Sequence, residues 1–363
     1  MSSKKPWIRP LLLCVLSSLI VMEIVVLTPA PLEESTDPNH STTKNTLLQD
    51  TEPSLIPDLP KGRVAEYGVE GFKYVSLQSG VKQWKLDAQN AFMYHPDNLV
   101  HGRLITAHLF DSTETTTLIT GSEAKYFLNQ KDLEIYGNVH TVFPDGFEIW
   151  SEYLRYKPND RKILVPSQYP VRGAGQQGQG QKFEFSSAGL DYDLGKAMVI
   201  LPQQAKVKLI KTQVIEAQGI PNETLIESDR CVMNRSTQFA YFTMNPSHPV
   251  ESSFIHITQP NVYTQSRRAE LNYGDLSSIL QYLIAYDEVL IKETNPFSTS
   301  FRYATSGVAH FDTRQDTIQL TQLPQVYQDQ DTVTGETILL HRTTGVIEIE
   351  HSNSFSQGNR GNP

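Results

Sequence analysis

Cysteine is nearly absent from this 363-residue chain. Cys14 and Cys231 are the two thiols, one in an apolar N-terminal run and the other alone in the remainder. That scarcity excludes a disulfide framework and a four-cysteine zinc site, and it fits an oxidising compartment. Positive charge is also in deficit. Lys and Arg number 31 against 40 Asp and Glu, a formal net charge of −9, so nucleic acid is excluded as a general partner, because phosphate binding is driven by Lys and Arg. Hydrophobic residues make up 39% of the chain, enough for a core and too few for a multi-span membrane protein.

Chemistry-bearing motifs are missing as well. The ten histidines, among them His95, His101, His108, His140, His310 and His341, show no H-E-x-x-H or comparable ligand spacing. They are expected on sheet surfaces and rims, and neither a metal site nor a cofactor is expected. Gly173-Ala174-Gly175-Gln176-Gln177-Gly178 spells G-x-G-x-x-G, but a dinucleotide site needs a helix after it and Phe183-Glu184-Phe185 follows. The reading there is a loop between strands. No Walker-type loop and no G-x-S-x-G elbow occur, so neither nucleotide hydrolysis nor serine-hydrolase chemistry is expected of the chain. The acidic residues show no pairing that would suit a glycosidase. No catalytic residue is assigned, and the chain reads as a non-enzyme.

What is present begins at the N-terminus. Lys4, Lys5 and Arg9 precede an apolar run from Leu11 to Leu27, with Trp7 at its near edge. The run is at the short limit for a bilayer span, and its positive flank predicts a cytoplasmic N-terminus. Residues 1–28 are therefore expected to form one uncleaved inner-membrane anchor. A cleaved signal peptide competes, but no A-x-A site follows, and Pro29 and Pro31 flank Ala30. Glu23, near the outer end, is either a tolerated near-surface charge or a contact with other membrane subunits. Residues 29–62, punctuated by Pro29, Pro31, Pro38, Pro53, Pro57 and Pro60, read as a disordered periplasmic tether.

From Val81 the pattern becomes period-two alternation, as in Leu133-Glu134-Ile135, Phe183-Glu184-Phe185 and Ile347-Glu348-Ile349. Turn signals separate the runs at Pro96-Asp97-Asn98, Asp145-Gly146 and Pro158-Asn159-Asp160. Many short strands with regular turns predict an all-β architecture. One stretch is ambiguous: Leu276, Ile279, Leu280 and Leu283 have helical spacing after Asp275, so residues 275–285 are either a short helix or a hairpin. An internal repeat is visible between residues 124–156 and 309–340, both running Ala-x-aromatic, polar turn, alternating strand, loop, Gly and strand, with a weaker copy at 269–292. Such units bury a face only against their neighbours, which predicts stacked hairpins in a twisted, open antiparallel jelly-roll. Gly137-Asn138 in the first copy has no sequence equivalent at Thr321–Leu323 in the second.

Gln83-Trp84-Lys85-Leu86-Asp87-Ala88, Leu133-Glu134-Ile135-Tyr136-Gly137-Asn138-Val139 and Ser151-Glu152-Tyr153-Leu154-Arg155-Tyr156, in this order behind a single anchor, resemble the inner-membrane-anchored LptC-type component of the lipopolysaccharide export bridge. Tyr169-Pro170-Val171-Arg172-Gly173 and Ala188-Gly189-Leu190-Asp191-Tyr192 resemble that family's closing strands. Leu225-Ile226-Glu227-Ser228-Asp229 and the repeat ending at Glu350 are similar to the soluble LptA-type (OstA-like) bridge proteins. The domains expected are thus an LptC-like module over 63–212, an LptA-like module over 213–355 and a disordered tail over 356–363.

The resemblance implies a V-shaped sheet with an apolar groove for lipopolysaccharide acyl chains. Shielding them is necessary because each methylene left in water costs about 0.8 kcal/mol. The groove wall it suggests comprises Trp84, Leu86, Phe92, Leu133, Ile135, Tyr136, Val139, Phe147, Ile149, Leu154 and Phe185; alternation alone leaves open a filled core instead. Gly173 resembles a glycine near the transporter-docking end, or is a turn glycine. The implied partners are lipopolysaccharide, the subunits of an inner-membrane ABC transporter, and a soluble bridge protein or outer-membrane translocon joined by edge-strand pairing. Two other readings stand beside this one: a non-lipid-binding structural adaptor, and a surface-polysaccharide enzyme on the same sheet.

Overall fold

A computed structural model describes residues 54–56, 65–78, 80–94, 97–111, 116–177, 181–211, 222–245, 254–273, 282–294, 301–312, 315–328, 331–342, 344–351 and 353–356. The anchor over 1–28, Glu23 and most of the tether lie outside these residues. Among the described residues no helix is long and apolar enough to cross a membrane.

Among the described residues, twenty-four strands make one antiparallel sheet. The first eight are mostly long: β1 (Tyr67–Gln78), β2 (Val81–Tyr94), β3 (Leu99–Phe110), β4 (Thr116–Phe127), β5 (Leu133–Val142), β6 (Glu148–Lys157), β7 (Lys162–Gln177) and β8 (Gln181–Asp193). Short ones follow: β9 (Met198–Leu201), β10 (Gln203–Lys211), β11 (Asn222–Ser228), β12 (Arg230–Asn234), β13 (Phe239–Thr243), β14 (Ile255–Gln259), β15 (Val262–Ser266) and β16 (Arg268–Asn272). The last group is β17 (Tyr282–Thr294), β18 (Phe301–Asp312), β19 (Thr317–Thr321), β20 (Gln325–Gln328), β21 (Asp331–Thr334), β22 (Thr337–His341), β23 (Ile347–Glu350) and β24 (Asn353–Ser356).

The ladder breaks in the middle of the long strands. Register shifts fall between Thr120 and Glu123, Tyr136 and Val139, Ser151 and Arg155, and Val165 and Pro170. Bulges bend strands and raise local twist, and here they fold the sheet lengthwise into two facing walls. Wall A continues from the end of β8 through β9, β12, β13, β16, the first half of β17, the second half of β18, β19, β22 and β23. Wall B continues from the start of β8 through β10, β11, β14, β15, the other halves of β17 and β18, β20, β21 and β24. The boundary expected at residues 212 and 213 lies outside the described residues. Pairing nevertheless runs past it on both walls.

Turns form at Asp97-Asn98, Pro144–Gly146 and Pro158–Arg161, as the turn dipeptides predict. Several expectations need correction. Gly173–Gln177 belong to β7, paired with β8, so the glycine-rich run is strand rather than loop as far as it is described. Residues 274–281 lie outside the described residues, whereas Tyr282–Asp287 are strand. Ser54–Ile56, placed in the tether by their composition, pack on the sheet, with Ile56 buried against Tyr136 and Tyr153. The bend that Gly137-Asn138 makes with two consecutive left-handed residues recurs at Gln322-Leu323, and again at Asp287-Glu288. Side chains rarely adopt that conformation, so the missing Gly-Asn signal concealed a repeat that the backbone keeps.

Candidate functional site

Between the walls lies one contiguous apolar cluster running from Trp84 to Leu340. Its spine on wall A is a row of directly facing residues. Ala124 faces Ile135, which faces Leu154; farther along, Phe242 faces Ala269, then Ala285, Ala309, Leu320, Ile338 and Ile349. The alanines that open the internal repeats, Ala124, Ala269 and Ala309, thus fall on one row. A second row places Tyr126 against Leu133, Leu133 against Tyr156, and Leu283 against Phe311. In this structure side chains fill the space: Trp84, Leu133, Ile135 and Leu154 are fully buried.

Of the residues expected on the groove wall, Trp84, Leu86, Leu133, Ile135, Val139, Phe147, Ile149, Leu154 and Phe185 join this cluster. Phe92 and Tyr136 do not. Tyr136 directly follows the inward Ile135, so alternation turns it outward, where it hydrogen-bonds Glu134 and packs on Tyr153. Phe92 follows the inward Ala91 and packs with Ala65, Tyr94 and Leu99 in a separate outer cluster. Gly173 is no turn glycine. It sits inside β7 opposite Phe185, and a Cβ there would come within 2.1 Å of the Phe185 ring.

Among the described residues, besides the Phe183–Tyr273 ring pair at 6.2 Å, three stations join the walls at their free margins. In the first, Trp84 of wall B meets Tyr126 and Tyr156 of wall A, with ring centroids 5.2 and 6.5 Å apart, and the Tyr126 hydroxyl donates to Tyr74 at 2.9 Å. Burial pushes the Tyr156 hydroxyl up to about 12 and pushes the Tyr126 hydroxyl up as well, so both stay protonated at neutral pH. In the second, the β5–β6 turn of wall B brings Phe143, Asp145 and Phe147 against Tyr192 and Arg235 of wall A. The Arg235 guanidinium lies 4.4 Å from the Phe147 centroid, donates to the Tyr192 hydroxyl at 2.6 Å and pairs with Asp145. Desolvation pulls its pKa down. In the third, Arg302 of wall B donates to the Gly345 carbonyl at 3.1 Å, and Arg342 of wall A donates to the Pro260 carbonyl at 3.2 Å.

Residues 45–208 match the family of lipopolysaccharide-assembly, LptC-related proteins, and residues 223–346 match the LptA and LptD N-terminal-domain family of lipopolysaccharide transport proteins. The chain joins an LptC-type part to an LptA-like extension. It is a component of the periplasmic lipopolysaccharide transport bridge. Among solved structures, it is similar to LptH, the LptA-homologous periplasmic component of the lipopolysaccharide transport device of Pseudomonas aeruginosa. The identity is 10%, the match covers 37% of this chain and 95% of that one, and the TM-score is 0.33. No curated protein matches.

On the outer face of the LptC-type part, Glu123 accepts hydrogen bonds from the Ser54 hydroxyl at 2.5 Å and the Leu55 amide at 3.0 Å, and lies 2.9 Å from His101 Nε2. His101 is fully buried, contrary to the expectation of surface histidines. Glu123 thereby ties Ser54 and Leu55 to the sheet. At the leading edge β1 pairs only with β2 among the described residues and exposes Tyr67, Val69, Val75 and Leu77. In the LptA-like extension Cys231 is buried in the inner row and burial pushes its thiol up, so it is an inert core residue.

Sequence reading missed two features. Arg235 carried no signal, since its partner Asp145 is 90 residues away. The other was legible. Ser187, Ser228, Ser266 and Ser306 each donate to the carbonyl two residues on, at 2.6, 3.1, 3.1 and 3.0 Å. Each stands three residues before one inner row and five before the other, as in Ser306, Ala309 and Phe311. That Ser-x-x-apolar-x-apolar spacing marks every corner of this kind.

Proposed function

We propose that this protein conducts lipopolysaccharide between its two walls, receiving it from an inner-membrane ABC transporter and passing it from the LptC-like module (63–212) to the LptA-like module (213–355). The observation that carries the reading is the contiguous apolar cluster between the walls, whose members run from Ala124 in one matched region to Ile338 in the other. Acyl chains take the place of the side chains that close the interior, and the walls part by as much as a chain requires. Exchange of one apolar neighbour for another costs little, because burial is non-directional. The outer faces carry cross-strand pairs such as Lys206–Glu227 and Lys208–Glu223 at 2.6 and 2.8 Å and remain in water.

The N-terminal run holds the protein in the inner membrane with Glu23 near the transporter's membrane subunits, and the first module with Gly173 lies toward the transporter. The exposed β1 edge joins the transporter side by strand pairing, and β23 and β24 offer the corresponding edges to a soluble bridge protein or outer-membrane translocon. No step of this reading is catalytic and none needs a cofactor. The test is site-specific photo-crosslinking to lipopolysaccharide with a probe at Ile135 and a control at Glu134. Crosslinking at Ile135 alone is expected. Crosslinking at neither position, in folded protein co-expressed with its transporter, would return the chain to the role of a filled structural adaptor.

A further inference from the structure

The three stations that close the margins differ in chemistry. The first is made of uncharged rings. The third fixes its arginines to backbone carbonyls, and the carboxylate beside Arg302 is Glu293 of the same wall, itself largely buried. The second sets an arginine of wall A against a carboxylate of wall B, and the two come from different matched regions: Asp145 from the LptC-type part, Arg235 from the LptA-like extension. Hydrogen bonding along the sheet joins the two parts at the walls. Only here, among the described residues, does a salt bridge join them across the margin.

The pair is unequal. Arg235 is 21% exposed and Asp145 is 59% exposed. A guanidinium has five N–H donors, of which two are engaged among the described residues, one by Tyr192 and one by Asp145. An exposed carboxylate that takes one guanidinium donor, its other oxygen already accepting from the Phe147 amide at 3.2 Å, is a weak partner. A phosphate offers more charge and a bidentate fit. Around the cation stand Phe143 and Phe147, at 5.7 and 4.4 Å to their centroids, apolar surfaces for which an acyl chain is an equivalent neighbour.

We propose that Arg235 is an anion-exchange clasp: the phosphorylated head of a lipid moving between the walls displaces Asp145 from the guanidinium, its chains displace the Phe143 and Phe147 rings, and the margin opens where the first part hands cargo to the second. The clasp rests on the lipid-conducting reading and adds to it a site, a ligand chemistry and a point of control. Asp145 acts as the resident competitor that keeps the margin shut when no anionic lipid is present.

The test uses the full-length protein with photo-crosslinking probes at Ile135, on the near side of the clasp, and at Leu320, on the far side of the same row, challenged with diphosphoryl lipid A and with its dephosphorylated form. Asp145→Asn, an exposed change that leaves the core intact, is expected to raise Leu320 crosslinking relative to Ile135. Arg235→Gln is expected to keep the Ile135 crosslink and to lower the Leu320 preference for the phosphorylated lipid by about tenfold, the factor that a lost charge-assisted pair carries. Arg235→Lys, which keeps the charge, is expected to recover part of it. A fall or no change at Leu320 in Asp145→Asn overturns the clasp, because a purely structural salt bridge predicts one of those. Equal use of both lipids by wild type and Arg235→Gln overturns it as well, while the Ile135 crosslink leaves lipid conduction standing. Absence of the Ile135 crosslink in wild type removes both.

Discussion

The two halves of the sheet solve the same problem with different materials. From β1 to β8 single strands cross from wall to wall, and their inner faces carry Trp84, Tyr126, Tyr156, Phe185 and Tyr192. From β9 onward most strands stop at the corner and a new one starts, and the inner face is built largely of small and aliphatic residues, with Ala269, Ala285 and Ala309 facing one another across neighbouring strands. Aromatic side chains bury roughly 150–250 Å² each, so the first half concentrates its stability in few residues and the second spreads it over many. The lesson concerns opening. Rings from both walls that meet at one station must all be displaced together, whereas an alanine row yields locally.

That contrast is broken or sharpened first at Trp84. Replacing this fully buried side chain by Ala is expected to cost about 3–5 kcal/mol, read as a lowered denaturant midpoint. If the shared sheet makes the halves one cooperative unit, a single transition shifts as a whole. A biphasic curve in which only the first phase moves would show that the halves fold apart despite their common ladder.

A smaller effect is expected at the glycines under the inner faces. In the first half, a Cβ at Gly173 would meet the Phe185 ring at 2.1 Å. In the second, a Cβ at Gly335 would meet Ile349 Cγ2 at 2.6 Å and the Glu350 carbonyl oxygen at 2.9 Å. Overpacking costs typically about 1–3 kcal/mol, and both Ala variants are expected in that range. Relief should differ. Phe185→Leu removes the ring and should recover most of the Gly173→Ala loss in a double-mutant cycle, whereas Ile349→Val leaves the backbone oxygen at Gly335 in place. Equal rescue in both cycles would place the strain of Gly335→Ala in side chains alone.

How far this architecture was legible in the sequence depends on the range of the interaction. Alternation at Leu133-Glu134-Ile135 and the turn residues at Asp145-Gly146 report local preferences, and the strands and turns stand where they are expected. The repeated alanines pointed to stacked units, and they share a row. Ile135 and Tyr136 are adjacent and both largely apolar, but parity lets only Ile135 face inward, so apolar character alone misassigns Tyr136. The burial of His101 depends on Glu123, 22 residues on, and the Arg235 station on contacts across the margin. Composition carries no trace of either.

The smallest effect expected distinguishes the corners themselves. Ser187, Ser228, Ser266 and Ser306 turn the chain from wall B to wall A by returning a hydroxyl to the carbonyl two residues on. Among the described residues of the first half only Ser187, in β8, makes this bond; the corresponding positions in earlier strands are Ala88, Gly121 and Ser151, and Ser151 bonds across to the Pro170 carbonyl at 3.3 Å instead. Small size is therefore the common requirement, and the hydroxyl is an addition that most corners of the second half share. Ser266 is fully buried, so its bond offsets the cost of placing a hydroxyl in the core, and the net contribution of such a bond is about 0.5–1.5 kcal/mol. Ser266→Ala is expected to lose that amount in denaturant unfolding, and Ser151→Ala to lose less. Equal, negligible losses at both would mean that size alone makes the corner. Ser266→Val, which restores no bond and adds bulk where the walls diverge, would then remain the damaging change.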